Sequence, residues 1–242
     1  MDVHSIFTPD TEAYCKNNYK SLGINKVLVY RLEEEEIWFP NPEVADENGL
    51  LAVGGDLSSK RLLLAYSYGI FPWFSEETPI FWYAPHERFV LFPERIKISR
   101  SMKQLMRSKR FRVTRDQNFK EVIEACASTE RKGKTGTWIT REMVSAYIKL
   151  HELGHAHSIE IWENNKLAGG LYGVELNGVF CGESMFSHVS NASKLAMIIL
   201  CESKTIRMID CQMHTSHLES MGAEYISRTD YLNILRQAWF YP

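Results

Sequence analysis

Residues 157–187 read HSIEIWENNKLAGGLYGVELNGVFCGESMFS. In HSIEIWE apolar and polar side chains alternate, the period of a strand with one buried face. Asn164-Asn165 and Asn177-Gly178 are pairs that accept the backbone of a tight hairpin turn. The stretch therefore predicts three antiparallel strands, at 157–163, 166–176 and 178–187. After it, a helix is expected over about 191–204, capped by Ser190 or Asn191. A strand at 207–212 (RMIDCQ), a short helix around 214–220, a strand at 223–228 and a last helix from Thr229 follow. Before it, the apolar residues Met143, Val144, Tyr147, Ile148 and Leu150 predict a helix from Thr140 to about Leu153. NFKEVIEACAS, from Asn118, predicts another.

The upstream third has a different texture. WFPNPEVADENGLLAVGGDL, residues 38–57, is rich in turn formers. Asp56 is a suitable N-cap for a helix through Leu62, Leu63 and Tyr66 that ends at Gly69. GIFPWFSEETPIFWYAPHERFVLFPE, residues 69–94, alternates aromatics with prolines and reads as strands and rigid loops. Glu33 to Glu36 is an acidic run, expected to be a solvated face or loop. The expected division is a small N-terminal domain, 1–86, whose residues 1–36 have no assignment, and a larger domain, 87–242.

Composition narrows the class. Hydrophobic residues make up 45% and charged residues 24% of 242, enough to build a real core. The formal charge is −2, so any nucleic-acid site must be a local patch. The five cysteines, Cys15, Cys126, Cys181, Cys201 and Cys211, are odd in number, widely spaced and free of C-x-x-C. That pattern fits reduced thiols in a cytoplasmic protein. The opening MDVHSIFTPDTEAYCK has no apolar core of a signal peptide. The longest apolar run, Leu195 to Cys201, is too short to span a bilayer, so no membrane partner is expected.

His151-Glu152-Leu153-Gly154-His155 matches the H-E-x-x-H pattern of zinc proteases. That chemistry needs both histidines one turn apart on a continuous helix, and a third ligand. Gly154 is a helix-stop residue, and His155 and His157 fall at the start of a strand. No zinc site, and no other metal or cofactor, is expected.

From Arg95 to Arg115 there are nine Lys/Arg and no acid. Arg100, Lys103, Arg107 and Arg110 recur at helical spacing, with Met102, Leu105 and Met106 on another face. Such a concentration of like charge, which also includes Lys109, suits a polyanion such as a phosphate backbone. Trp73, between prolines, and Trp138, in GTWITR, are candidates for stacking on nucleobases.

The order strand–strand–strand–helix–strand–helix–strand from 157 to 228 matches the acyl-transferring core of the N-acetyltransferase superfamily. Acyl-CoA enzymes of that fold need a glycine-rich loop to cradle the pyrophosphate. SMFSHVSNASK, in the corresponding place, has no glycine, which disfavours CoA but not another acyl carrier. Glu183 and Asp210 are acids in apolar strands, where an acid usually has a partner or a job. Gln212, two residues after Asp210, is expected on the same side of its strand.

GGDLSSKRLLLAYSYGIFPWFS, GTWITREMVSAYIKLHELGHAHSIEIW, GVFCGESMFSHVSNASK and IDCQ together resemble the leucyl/phenylalanyl-tRNA–protein transferase family. The resemblance runs from about residue 37 to the C-terminus. It implies an α+β fold, a small N-terminal domain followed by an N-acetyltransferase-like domain with a mixed, largely antiparallel sheet flanked by helices. It implies transfer of Leu, Phe or, less readily, Met from aminoacyl-tRNA to the α-amine of proteins that start with Lys or Arg, marking them for degradation. By the same resemblance Trp73 and Trp138 lie near the terminal adenosine and aminoacyl group. Leu171, Phe180, Met197, Leu200 and Ile209 match positions of the apolar pocket. Glu183, Asp210 and Gln212 match the polar site, and the basic segment suits the acceptor stem. A monomer is expected. Phe180 and Glu183 have opposite parity on one strand, so a shared cleft requires a bulge, for which Gly182 is the candidate. A zinc metallopeptidase and a non-catalytic RNA-binding module are the alternatives.

Overall fold

The structure, a computed structural model, describes residues 29–129 and 139–237. The chain divides into two units between His86 and Glu87.

The second unit is built on the 157–187 ribbon. Its three strands are β7 (Ala156–Glu163), β8 (Lys166–Leu176) and β9 (Val179–Ser187). Asn164 and Asn165 have φ of 51° and 60°, and Asn177 and Gly178 have 53° and 79°. Both turns are thus left-handed, as two-residue hairpins require. Four further strands complete the sheet: β5 (Glu87–Leu91), β6 (Arg112–Arg115), β10 (Met208–Asp210) and β11 (Glu224–Ser227). The order is β11-β5-β10-β9-β8-β7-β6. All pairs are antiparallel except β9 with β10.

Helices cover both faces. We number them α2 (Arg100–Arg107), α3 (Phe119–Ser128), α4 (Arg141–Glu152), α5 (Ala192–Cys201), α6 (Ser216–Ser220) and α7 (Arg228–Gln237). Two adjacent glycines of β8 show the layering. A Cβ on Gly169 would collide with Ala192 of α5, and one on Gly170 would approach Val122 of α3. Neighbouring residues on a strand face opposite ways, so α5 and α3 lie on opposite sides. The α5 face holds one cluster that includes Met102, Ile159, Ile161, Leu171, Phe180, Met197, Leu200 and Ile209.

The first unit has a sheet of order β1-β2-β4-β3, from β1 (Tyr30–Leu32), β2 (Leu50–Gly54), β3 (Phe71–Trp73) and β4 (Phe81–Tyr83). Its helix is α1 (Ser59–Ser67). The N-cap is Ser58, whose hydroxyl accepts from Arg61 N–H, and not Asp56. Asp56 instead accepts from Ser58 N–H at 2.8 Å and pairs with Arg61 at 3.3 Å. The fully buried Arg61 also donates to the carbonyls of Glu33, Glu34 and Glu36. The acidic run thus exposes its side chains while its backbone wraps a buried guanidinium. Trp73 ends strand β3, rather than a loop, and meets Tyr83 edge-on at 6.2 Å.

Three other expectations are corrected. The basic helix stops at Arg107, and Lys109 takes φ of 55°, so Arg110 leaves the helix face. The strand expected over 207–212 ends at Asp210, because Gln212 turns left-handed with φ of 58°. His214 lies before the short helix that carries His217.

Candidate active site

The three polar candidates converge where β9 and β10 part. Their last paired residues are Cys181 and Asp210. Just beyond, the β8–β9 register slips: Gly173 faces Gly182, but Tyr172 faces Ser184. Glu183 is the extra residue of this bulge. Its carboxylate accepts from the Gln212 side-chain amide at 2.8 Å and from the Tyr147 hydroxyl at 3.2 Å. Gln212 and Glu183 therefore span the gap that opens between the strands. Glu183 is buried and Gln212 is half-buried, so the cluster reaches solvent at its Gln212 end.

Asp210 lies deeper and is fully buried. Arg88, on β5, forms an ion pair with its Oδ2 and contacts Oδ1 through Nε at 3.4 Å. The Tyr231 hydroxyl of α7 donates to Oδ2 at 2.9 Å, and Gln212 N–H donates to Oδ1 at 2.8 Å. The Arg88 guanidinium sits 4.4 Å from the centre of the Tyr231 ring. Burial alone would pull the Arg88 pKa down, but Asp210 outweighs it and raises it. Burial, then Asp210, push the Tyr231 phenol well up. Both groups stay protonated as donors.

The thiols nearby are not nucleophiles at neutral pH. Burial, reinforced by Asp210, pushes the Cys181 thiol well up, and burial lifts Cys201 to about 12.

Leu171, Phe180, Met197, Leu200 and Ile209 meet in the α5-side cluster, each 2% exposed or less. Phe180 and Ile209 are paired neighbours on that face, and Cys181 and Asp210 are paired on the other. The Phe180 ring lies over Gly173, where a Cβ would come within 2.5 Å of it. Apolar and polar candidates thus occupy opposite faces and approach each other at the parting of β9 and β10. Leu200 also lines a cavity of about 260 Å³ with Val113, Thr114, Ile159, Ile199 and Ser203.

Arg100, Lys103, Arg107 and Lys109 are exposed, and no acidic partner faces them among the described residues. Other cations of the segment are countered from outside it. Arg95 pairs with Glu224, Arg110 with Glu163 and Arg115 with Glu175. Trp138 lies outside the described residues.

HELGH does not share one helix. α4 ends at Glu152, and Gly154 takes φ of 80°. The His151 ring stacks on Phe119 at 4.3 Å, and its Nδ1 meets the Ala156 carbonyl at 2.8 Å. His157 pairs with Asp116 at 2.7 Å.

The family model described as "Leucyl/phenylalanyl-tRNA protein transferase" matches residues 90–236, and its N-terminal-domain counterpart matches residues 55–86. The chain belongs to this family. A leucyl/phenylalanyl-tRNA–protein transferase of Syntrophus aciditrophicus (strain SB) is 56% identical over 205 residues, 84% of this chain and 86% of that protein. One of Shigella sonnei (strain Ss046) is 53% identical over 212 residues, 86% of this chain and 89% of its own. A solved structure of a Staphylococcus epidermidis protein of unknown function superposes with a TM-score of 0.43 at 9% identity, over 74% of this chain and 68% of its own. Membership in the leucyl/phenylalanyl-tRNA–protein transferase family makes the chain an aminoacyltransferase. The 90–236 match contains Tyr147, Glu183, Asp210, Gln212 and Tyr231, and Arg88 lies two residues before it.

Three residues of the cluster escape sequence reasoning. Tyr147 reads as part of the apolar face of its helix. Tyr231 carries no signal. Arg88 has one: a lone cation inside RFVLF, where a buried charge needs a counter-ion.

Proposed function

We propose that this protein moves Leu or Phe, and less readily Met, from aminoacyl-tRNA to the α-amine of proteins that begin with Lys or Arg. The product then carries a degradation signal. The observation that carries the reading is the Glu183–Gln212 bridge across the opening between β9 and β10, with apolar residues on one side and a fixed acid on the other.

An aminoacyl ester is already activated, and an α-amine with pKa of about 7.7–8.0 is partly neutral at cellular pH. Alignment of the two substrates then supplies much of the rate, since effective molarities reach ~10⁵ M or more. The amine nitrogen bonds to the ester carbonyl carbon. The bond from that carbon to the ribose oxygen breaks, and the nitrogen's proton ends on the ribose oxygen. Gln212 orients the amine and steadies the tetrahedral intermediate, with Asp210 behind it. The Glu183 carboxylate favours an acceptor with a cationic side chain. Leu171, Phe180, Met197, Leu200 and Ile209 hold the donor side chain.

The exposed cations Arg100, Lys103, Arg107 and Lys109 follow the tRNA phosphates, and Arg110 joins them when it releases Glu163. Trp73 and Trp138 stack near the terminal adenosine and aminoacyl group. In this reading residues 87–242 are the catalytic domain. No described helix is long and apolar enough to cross a membrane. A monomer working in the cytoplasm without metal or cofactor is the reading we favour.

The test is transfer of label from Phe-tRNA to proteins that begin with Lys, Arg or Ala. Label on the α-amine of the first two, and not the third, is expected. Binding of Phe-tRNA without transfer would make the chain an RNA-binding module instead.

A further inference from the structure

We infer that Tyr225 and His214 form a stacking ledge for one nucleobase of the donor RNA, the base that precedes the terminal adenosine. This rests on the transfer reaction proposed above. Leu153, Met213 and Tyr225 are the large hydrophobic side chains exposed in the described part of the second unit, and the last two lie beside His214. The Tyr225 ring, 53% exposed, is nearly parallel to the His214 ring, at 13° and 6.1 Å. Both rings rest on the buried Phe89, at 4.9 Å and 5.0 Å. Glu219 accepts from His214 Nε2 at 3.1 Å and so fixes the imidazole. A preset aromatic surface with an open face suits a nucleobase, because every base has a π-face to lay on it.

The position of the ledge selects the RNA over the acceptor. Phe89 and Tyr225 are cross-strand partners, and Phe89 belongs to the α5-side cluster with Phe180 and Ile209. Directly opposed residues share a face, so the ledge lies on the donor's side of the sheet. One end of it adjoins the opening, since His214 follows Gln212 by two residues. The other end is basic. Arg95 pairs with Glu224, and Lys97 N–H donates to the Met221 carbonyl at 2.8 Å. Both cations are exposed, and the chain runs from Lys97 straight into α2 with Arg100, Lys103 and Arg107. The ledge therefore joins the opening to the exposed cations proposed to follow the phosphates. The acids of this region are engaged, Glu224 by Arg95 and Glu219 by His214. An acceptor that begins with Lys or Arg has the wrong charge for such a flank.

Two donors separate the base from the rest of the site. One is Phe-tRNA, and the other is phenylalanine esterified to adenosine alone, which has no preceding nucleotide. Transfer of each to a Lys-starting peptide is measured for wild type, Tyr225→Ala and Tyr225→Trp. Tyr225→Ala should lower kcat/KM for Phe-tRNA on the order of tenfold, mostly through KM, as loss of one stacked base does. It should leave the adenosine ester and the KM of the peptide unchanged. Tyr225→Trp should restore the Phe-tRNA value. The salt slope should match wild type, because no phosphate contact is removed. Phe-tRNA that lacks the base of the preceding nucleotide should be about tenfold poorer for wild type, and no poorer again for Tyr225→Ala. Equal losses with both donors, a raised KM for the peptide, no loss at all, or multiplying effects of the missing base and the substitution would each overturn the inference. If unfolding curves show that Tyr225→Ala does not fold, His214→Ala replaces it with the same expectations. Absence of transfer by wild type would overturn the proposed function. The ledge is then read from the dissociation constants of the two RNAs, with and without that base, and equal constants overturn it as well.

Discussion

Replacing Arg88 by Met should be among the most destabilising single changes in the second unit. Arg88 and Asp210 are 2% and 0% exposed, so solvent neither screens the pair nor rescues a survivor. Met keeps most of the apolar stem and removes the charge. Asp210 would then keep only the Tyr231 hydroxyl and Gln212 N–H as donors. Breaking a buried pair by removing one partner costs about 3–5 kcal/mol. A domain of this size has only about 5–15 kcal/mol in total. At ~2–4 °C per kcal/mol, the melting temperature should fall by roughly 6–20 °C.

Urea and thermal unfolding of the full chain, followed by circular dichroism, measure the loss. The diagnostic companion is Arg88→Met with Asp210→Leu. Removing both charges takes the carboxylate acceptor from the Tyr231 hydroxyl and the Gln212 N–H, at about 1–3 kcal/mol each. The double variant should therefore lose clearly less than the sum of the single losses. A loss below about 1 kcal/mol for Arg88→Met, or strict additivity in the double variant, would refute the reasoning and place the pair in contact with water.

Reversal of Arg100, Lys103 and Arg107 to Glu should leave the unfolding midpoint nearly unchanged, since these side chains are exposed and have no acidic partner among the described residues. It should weaken aminoacyl-tRNA binding and reduce the salt slope by about 2–3; an unchanged slope means that the tRNA binds elsewhere. Leu171→Trp or Leu200→Trp should lower Phe transfer more than Leu transfer in direct competition, with the Lys/Arg acceptor preference intact. Ile and Val should be poor donors even with wild type, because they branch beside the ester. Asp116→Asn should reveal the His157–Asp116 pair through the pH dependence of stability. The hydrogen bond that His157 donates to Asp116 raises the His157 pKa, so that contribution is complete below 6.5 and fades as pH rises through the raised value. Burial pushes Asp116 up, but His157 and Ser158 N–H outweigh it and hold it below 3.8, so its contribution fades as pH falls through the lowered value. The difference between wild type and variant should therefore be largest between about pH 4 and 6.5.

Much of the second unit was legible because its signals are local. The two hairpins announce themselves through Asn-Asn and Asn-Gly, residues that tolerate the positive φ found there. The stop at Gly154 separates His151 from His155 for the same reason. The site was legible by residue type but not by geometry. Parity on β9 sets Phe180 against Glu183, and only the slip at Glu183 shows how the bulge resolves it. Strand alternation was the wrong reason to join Gln212 to Asp210. The strand has already ended, and a left-handed turn makes the connection. Arg88 stands 122 residues from Asp210, and no local pattern spans that distance. The charge run likewise does not show which of its cations are countered: Arg95 and Arg110 meet acids from distant strands, and Arg115 meets Glu175 as well as its neighbour Asp116.

The parting of β9 and β10 gives the proposed reaction a reason to occur where it does. The two substrates make opposite demands. A leucyl or phenylalanyl side chain gains ~1.5–3 kcal/mol from apolar burial, whereas an attacking amine needs oriented polar groups. A paired sheet keeps such environments apart, because alternate residues face opposite layers. Phe180 and Ile209 on one side, and Cys181 and Asp210 on the other, show that separation one residue before the pairing stops. Once it stops, β9 stays paired with β8 and the β10 side stays bonded to β5, but no ladder joins β9 to β10. Glu183, displaced by its bulge, and Gln212, displaced by its turn, both lie past that point and bond to each other across it. In the proposed reaction the donor side chain takes the apolar side and the amine takes the Gln212–Glu183 bridge. Moving either displaced residue back into regular strand geometry should close that approach while leaving both substrate surfaces intact.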